Sequence, residues 1–257
     1  MTSSSVITSR DNPLLKELRK LTHDNTAYRK WGRFWVEGDH LCSAALERGW
    51  KPTLAVFSES FWPVAPAQYA QAAIKSVVVK DALLREISGL ESPAQMGFVL
   101  DVPASAPLLP GAPTVILDRV QDAGNVGSIL RSAGAFGFKQ VLALTGTAAL
   151  WSPKVLRAGM GAHFGLQLHE GLTLQDLDAL QLPLVVTSSH RGEFIQRLRI
   201  PMPCAWVLGH EGQGVSEELM GRAAHFVRIG QPGGEESLNV AAAAAICLHA
   251  SSLCNKS

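Results

Sequence analysis

The polar side chains of this 257-residue chain whose types and neighbours suit chemistry, Asn125, Arg131 and Glu211 among them, are set beside glycines. They lie in three glycine-marked stretches: Asp122-Ala-Gly-Asn125-Val-Gly127-Ser-Ile-Leu-Arg131, Gly209-His-Glu211-Gly-Gln-Gly214 and Gly233-Gly-Glu-Glu-Ser237-Leu238-Asn239-Val. Each follows an apolar run that reads as a strand: Pro113 to Leu117, Cys204 to Leu208, and His225 to Ile229. Open α/β sheets place ligands at such strand ends.

In the first stretch, a helix starting at Asn125 sets Arg131 under two turns further on, roughly 120° around the axis. Arg131 must then reach back toward the helix N-terminus, the direction in which helical side chains lean. A helix N-terminus attracts anions and a guanidinium forks onto phosphate; an N-capping Asn with a solvated Arg accounts for the same residues. In the second, Gly209 lets a ligand approach the strand backbone, and Gly212 and Gly214 suit a tight turn. A surface acid explains Glu211 but not the glycines. In the third, Ser237 is expected to cap an alanine-rich helix, with Glu235 and Glu236 at its positive end. The small residues of that helix suit an oligomer interface or internal burial equally.

These stretches need a scaffold, and alternating strands and helices supply one. Before residue 103 the pattern gives a helix opening at Asn12-Pro13 with Leu14, Leu15, Leu18 and Leu21 on one face. Strands follow at 34–36, 54–57, 76–79 and 97–100, with helices at 39–48 and 81–88. Val102 to Pro113 holds four prolines and reads as a linker. Beyond it come strands 114–118, 140–144, 183–187, 204–208 and 225–229. Helices are expected at 124–136, 153–159, from Ser216 and from Ser237. The alternation implies an α/β class with a mainly parallel sheet. The expected division is a small α/β domain over residues 1–103, a linker over 104–112 and a second domain over 113–257.

Composition narrows the class. With 47% hydrophobic and 18% charged residues the chain reads as soluble and well cored, and its net charge of +1 names no partner. Residues 1–35 carry Arg10, Lys16, Arg19, Lys20, Arg29, Lys30 and Arg33 against Asp11, Glu17 and Asp24, which concentrates positive potential at one end. Cys42, Cys204, Cys247 and Cys254 have no CxxC spacing and read as free thiols of a reducing compartment. No signal pattern and no apolar run of bilayer length is present, so a cytoplasmic protein without membrane contact is expected. P-loop, GxGxxG, HExxH and GxSxG motifs are absent, as is any Cys/His cluster at metal-ligand spacing, so no metal is expected. His163, His169, His210 and His225 receive no role.

In this order and spacing the three stretches resemble the motifs of the SpoU (TrmH-type) RNA ribose 2′-O-methyltransferases of the SPOUT superfamily: N-x-G-x-x-x-R, then G-x-E-G-x-G, then I-P-M-x-G-x-x-x-S-L-N-V. The resemblance is close over residues 113–252. It is looser in the first domain, through Ile7-Thr-Ser-Arg-Asp-Asn12-Pro13, Phe34-Trp-Val-Glu37-Gly38 and Ser92-Pro93. It implies an N-terminal substrate-binding domain and a C-terminal domain threaded as a trefoil knot, working as a homodimer on S-adenosylmethionine. It also implies that Gly209, Ile229 and Leu238 hold the cofactor through backbone groups, with Leu208 and Thr187 nearby. Asn125, Arg131, Glu211, Ser237 and Asn239 then line the reaction site. The chain departs from the pattern where Gly230-Gln231 replaces Pro-Met after Ile229.

The implied substrate is rRNA, with tRNA methylation and a non-catalytic RNA-binding or assembly protein as alternatives. Attack of a 2′-oxygen on a sulfonium methyl needs no metal, because the departing thioether is neutral. Arg131 is a poor base: keeping it neutral at pH 7 costs at least about 7 kcal/mol. It is expected to orient a phosphate and stabilise the developing oxyanion. Asn125 positions the ribose, and Glu211 or solvent takes the proton. RNA contacts are expected at Arg29, Lys30 and Arg33, where Tyr28-Arg-Lys-Trp31-Gly-Arg-Phe34-Trp35 interleaves cations with aromatics. Either those aromatics stack on bases, or Phe34 and Trp35 belong to the core.

Overall fold

The structure, a computed structural model, describes residues 6–188, 191–233 and 237–254. It divides into two compact units, residues 1–104 with 151–164 and residues 105–150 with 165–257. Gly234, Glu235 and Glu236, which the sequence places at the approach to the last helix, lie outside the described residues.

The first unit runs β1 (Val6–Ile7), α1 (Pro13–His23), α2 (Ala27–Trp31), β2 (Arg33–Glu37), α3 (Asp39–Glu47), β3 (Leu54–Ser58), α4 (Ala67–Ala72), β4 (Lys75–Val79), α5 (Asp81–Ile87) and β5 (Met96–Asp101). The Asn12 side chain accepts from Leu14 N at 2.9 Å and Pro13 opens α1, the start that the sequence predicts. Leu15, Leu18 and Leu21 are buried against Val56, Val79, Leu84 and Ile87, while Leu14 packs at the margin. The sheet order is β1-β4-β3-β5-β2, parallel over its first three strands and antiparallel at β5. β1, α2 and α4 escape the sequence reading because each is too short to show a period.

Phe34 and Trp35 are core residues, 1% and 4% exposed, so neither is available to stack on a base. Phe34 packs at 4.7 Å between ring centroids on Trp151, and Trp50 at 5.3 Å on Phe164. Trp50 Nε1 also donates to Phe164 O at 3.1 Å. These aromatic contacts, worth about 0.5–1.5 kcal/mol per pair, seat residues 151–164 in the first unit.

The second unit is built on β6 (Thr114–Asp118), α6 (Ala123–Ala135) and β7 (Gln140–Leu144); α7 (Pro153–Gly159) then belongs to the first unit. The chain continues through β8 (Gln167–Leu172), β9 (Leu184–Thr187), β10 (Glu193–Phe194), β11 (Ala205–Gly209), α8 (Glu217–Arg222), β12 (His225–Arg228) and α9 (Val240–Cys254). All strands run parallel, in the order β10-β12-β9-β11-β6-β7-β8. Ala205, Trp206, Val207 and Leu208 are fully buried, as expected of a central strand covered on both faces. β8 and β10 were not expected: β8 is a half-exposed edge strand with a polar sequence, and β10 has two residues.

α6 packs along α9, and Trp206 Nε1 donates to the buried Ser251 Oγ at 2.8 Å, tying α9 to β11. Ala244, Cys247, Leu248 and Ser251 face inward, whereas Ile246 and Leu253 are 40% and 56% exposed. The four cysteines are free. Burial pushes the Cys204 and Cys247 thiols up to about 12. No helix among the described residues is long and apolar enough to cross a membrane.

Candidate active site

The first motif forms differently from its sequence expectation. Asp122, not Asn125, caps α6: its Oδ1 accepts from Asn125 N at 2.7 Å. The helix therefore starts at Ala123, and the Asn125 side chain is released from capping. The third motif is corrected in the same way. α9 begins at Val240, and Asn239 caps it, with Oδ1 accepting from Ala241 N at 2.9 Å and Ala242 N at 3.2 Å. Asn caps as well as Ser and sits next to the first helical residue, so Ser237 remains in the preceding exposed segment.

Because α6 packs on α9, these two helix starts meet. Asn239 Nδ2 donates to Asn125 Oδ1 at 2.9 Å, and Asn125 Nδ2 donates to Glu211 Oε1 at 3.1 Å. Glu211 also accepts from Asp122 N at 3.0 Å and Gln121 N at 3.2 Å. One hydrogen-bonded row thus joins all three sequence motifs. Burial pushes the Glu211 carboxyl up, but the Asn125 amide and the backbone N–H groups of Asp122, Glu211 itself and Gln121 outweigh it and hold the group below its ordinary range.

The loop carrying Glu211 is pinned by its own backbone. His210 N donates to Gly214 O at 3.0 Å and Gly214 N to His210 O at 2.8 Å, with Gly214 at φ 69°. Gly209 is required here, because a Cβ would lie 2.3 Å from Gly214 C and Val215 N. The close approach expected at Gly209 is therefore made first by the chain itself. His210, given no role from sequence, accepts through Nδ1 from Gly212 N at 2.9 Å and Gln213 N at 3.2 Å. Asp118, 3% exposed, holds the far end by accepting from Ser216 N at 2.6 Å, and it pairs with Arg119 at 3.0 Å. Arg119 Nη1 reaches Gln213 Oε1 at 2.9 Å. Scattered single polar residues of this kind carry no pattern that would mark them in sequence.

Beside the row lies a cavity of about 630 Å³, a size suited to a small-molecule ligand. Thr187, Gly209, Ile229, Leu238, Glu211, Ser237 and Asn239 all line it. Leu208 is wholly buried and Asn125 joins only through its hydrogen bonds; neither lines the cavity. Val227, Ile229, Leu238 and Val240 supply apolar wall. Gln231 lines it as well, and its Oε1 is buried with no hydrogen-bond partner among the described residues. Such an acceptor costs about 1–3 kcal/mol until a donor reaches it.

Arg131 is exposed, with no ion pair or side-chain hydrogen bond among the described residues, and does not line the cavity. In the first unit Arg29 and Lys30 are exposed on α2, Arg29 against the Tyr28 hydroxyl at 3.1 Å and Lys30 over the Trp31 ring at 5.2 Å. Arg33 is engaged by Glu17 at 2.6 Å. The N-terminal positive charge is partly paired: Lys16 lies 3.0 Å from Asp11, and Arg10 and Arg19 share the Glu86 carboxylate at 3.0 and 3.5 Å. Glu86 lies on α5, outside the window in which the sequence count was made. Among the described residues no group of three or more His, Cys, Asp or Glu is placed to hold a metal ion.

Comparison with known proteins matches residues 112–249 to the SpoU rRNA methylase family and residues 12–97 to an MRM3-like substrate binding domain. An uncharacterized tRNA/rRNA methyltransferase of Synechocystis is 30% identical, over 95% of this chain and 92% of its own length. The 23S rRNA guanosine 2′-O-methyltransferase RlmP of Bacillus subtilis is 29% identical, over 95% and 97% respectively. The crystal structure of an AdoMet-bound rRNA methyltransferase from Sinorhizobium meliloti superposes with a TM-score of 0.83 at 27% identity, covering 96% of this chain and 97% of that one.

Proposed function

This chain belongs to the SpoU rRNA methylase family, and from that premise we propose that it transfers a methyl group from S-adenosylmethionine to a ribose 2′-hydroxyl of rRNA. The observation that carries the reading is the Asn239–Asn125–Glu211 row beside a ligand-sized cavity. The cavity fits the cofactor chemically. Its apolar wall suits an adenosyl group, and the unpartnered Gln231 Oε1 suits the amine donors that S-adenosylmethionine carries. Gly209, Ile229, Leu238 and Thr187 would hold it; Leu208 would act only from behind, as buried support.

When bound, the cofactor supplies a sulfonium methyl whose departure leaves a neutral thioether. The chain's own residues do the rest. Asn125 is fixed at both ends, with Oδ1 taken by Asn239 and one Nδ2 hydrogen by Glu211. Its second Nδ2 hydrogen is left to hold the ribose. Glu211, carrying three donors and a lowered pKa, is a clamp for Asn125 and a poor proton acceptor, so the hydroxyl proton passes to water. Arg131, exposed and unpaired, is free to bind the target phosphate and stabilise the oxyanion.

We place the N-terminal unit as the RNA-holding domain, with Arg29 and Lys30 as contacts and Arg33 as a lesser one. The outward Ile246 and Leu253 of α9 support a homodimer through the second unit. The trefoil knot and a cytoplasmic location are proposed on family membership alone. Calorimetry with S-adenosylmethionine tests the reading: saturable binding is expected, and absence of binding at millimolar cofactor would favour a non-catalytic scaffold.

A further inference from the structure

The outer edge of the second unit's sheet carries a cluster that neither the motifs nor the cavity uses. β10 is the edge strand, and Phe194 on it pairs in register with Arg228 on β12. The Arg228 guanidinium carbon lies 4.3 Å from the Phe194 ring centroid, and that of Arg197 lies 5.9 Å from the same ring. Arg191 sits 4.1 Å over the Phe226 ring. Gly192, at φ 104°, makes this possible: a Cβ there would lie 2.1 Å from Phe226 O, so only glycine lets the loop lie so close to β12. Arg228 Nε fastens the arrangement by donating to Gly192 O at 3.0 Å. Arg199 is exposed nearby in sequence.

Among the described residues none of Arg191, Arg197, Arg199 and Arg228 has an ionic partner. The one acid of the segment, Glu193, accepts from Phe194 N at 3.1 Å. A guanidinium over a ring keeps its in-plane donors for other partners, and Arg228 spends only Nε, on Gly192 O. Three such groups and the exposed Arg199, with one carboxylate among them, repel one another and gain when a polyanion is present. The cluster also adjoins the cavity through the chain: Val227 and Ile229 flank Arg228, and Ser188 precedes Arg191, and all three line the cavity.

We propose that Arg191, Arg197, Arg199 and Arg228 form an RNA backbone-binding strip that holds phosphates next to the methyl-transfer site. The strip rests on the RNA methyltransferase reading above and extends it to a second, independent contact surface. The bland role for the same charges is protection of an edge strand against pairing with other chains.

The test is filter binding of the full chain to a transcribed 23S rRNA fragment across a potassium chloride series, with cofactor calorimetry and thermal melting alongside. Arg228 is left intact because it fastens the loop. R191Q/R197Q/R199Q is expected to bind RNA at least tenfold more weakly, with a log–log salt slope shallower by about two, at roughly 0.7 per lost single-strand phosphate contact. Cofactor affinity and melting are expected to stay unchanged. Wild-type affinity and slope in the triple variant would overturn the strip and leave edge protection as its role. If the triple variant melts early, R197Q and R199Q singly decide: each is expected to flatten the slope by about 0.7, and an unchanged slope in both overturns the proposal. A wild-type chain that binds cofactor but no rRNA fragment would instead overturn the substrate reading, and the strip with it.

Discussion

Asn239 donates from Nδ2 to Asn125 Oδ1 at 2.9 Å while its own Oδ1 caps α9. One side chain thus sets a helix start and orients the Asn125 amide, which is proposed to hold the ribose. The two uses are separable by substitution. Asn239→Asp keeps the cap, since Asp and Asn cap equally well, but turns an oxygen toward Asn125 Oδ1. Thermal melting is expected to move little while kcat falls about tenfold or more, the scale of about 1.4 kcal/mol in the barrier. Asn239→Ala should lose both, with about 0.5–2 kcal/mol of stability. Equal kcat in wild type and Asn239→Asp would remove the orienting role.

Glu211 gives a pH prediction. Its folded pKa is depressed, so whatever it contributes is present above its unfolded value, about 4.3, and is lost as pH falls through the lower folded value. The kcat profile should therefore show no limb from Glu211 anywhere near neutrality. An acidic limb between about pH 5 and 7 that disappears in Glu211→Gln would reinstate Glu211 as the base.

Arg131 is argued to act as a fixed cation, and the guanidinium fork matters to that role. Arg131→Lys should lower kcat at saturating RNA by about 10²–10³, the usual loss for an oxyanion-stabilising donor, with cofactor affinity unchanged. Full activity in the lysine variant would contradict it.

Gly209 tests the loop. In Gly209→Ala the new methyl would lie 2.3 Å from backbone atoms of Gly214 and Val215, which cannot yield as a side-chain tip can. Calorimetry should show cofactor affinity at least tenfold weaker, and melting a loss of about 1–3 kcal/mol, the cost of overpacking.

Charge reversal at Arg29 and Lys30 should weaken RNA binding and flatten its salt dependence. Reversal at Arg33 should act mainly on stability, because it sets a second carboxylate against Glu17. Parallel RNA-binding and melting series on the two variants separate these effects.

The reach of the sequence follows from which forces are local. Glycines and capping residues act within a few positions, so the strand ends and the motif order were legible, as were the α1 start and α7. The Asn125 and Asn239 side chains were assigned to the site, but their hydrogen bond was not visible, because it depends on α6 packing along α9. The caps fell on Asp122 instead of Asn125 and on Asn239 instead of Ser237 for a related reason: several good caps stood in a row, and only the helix's final position chooses among them. Arg10 and Arg19 share the one Glu86 carboxylate, which lies outside residues 1–35, so counting charge over that segment alone overstated its surplus. His210 and Asp118 were missed because a lone polar residue reads alike whether it faces water or pins a loop.

The most direct measurement is a map of ribose methylation across total RNA from cells with and without this protein. One 2′-O-methyl mark in rRNA is expected to vanish in the deletion and to return with the wild-type chain but not with Asn125→Ala. An unchanged map, or loss of a base methylation instead, would contradict the account.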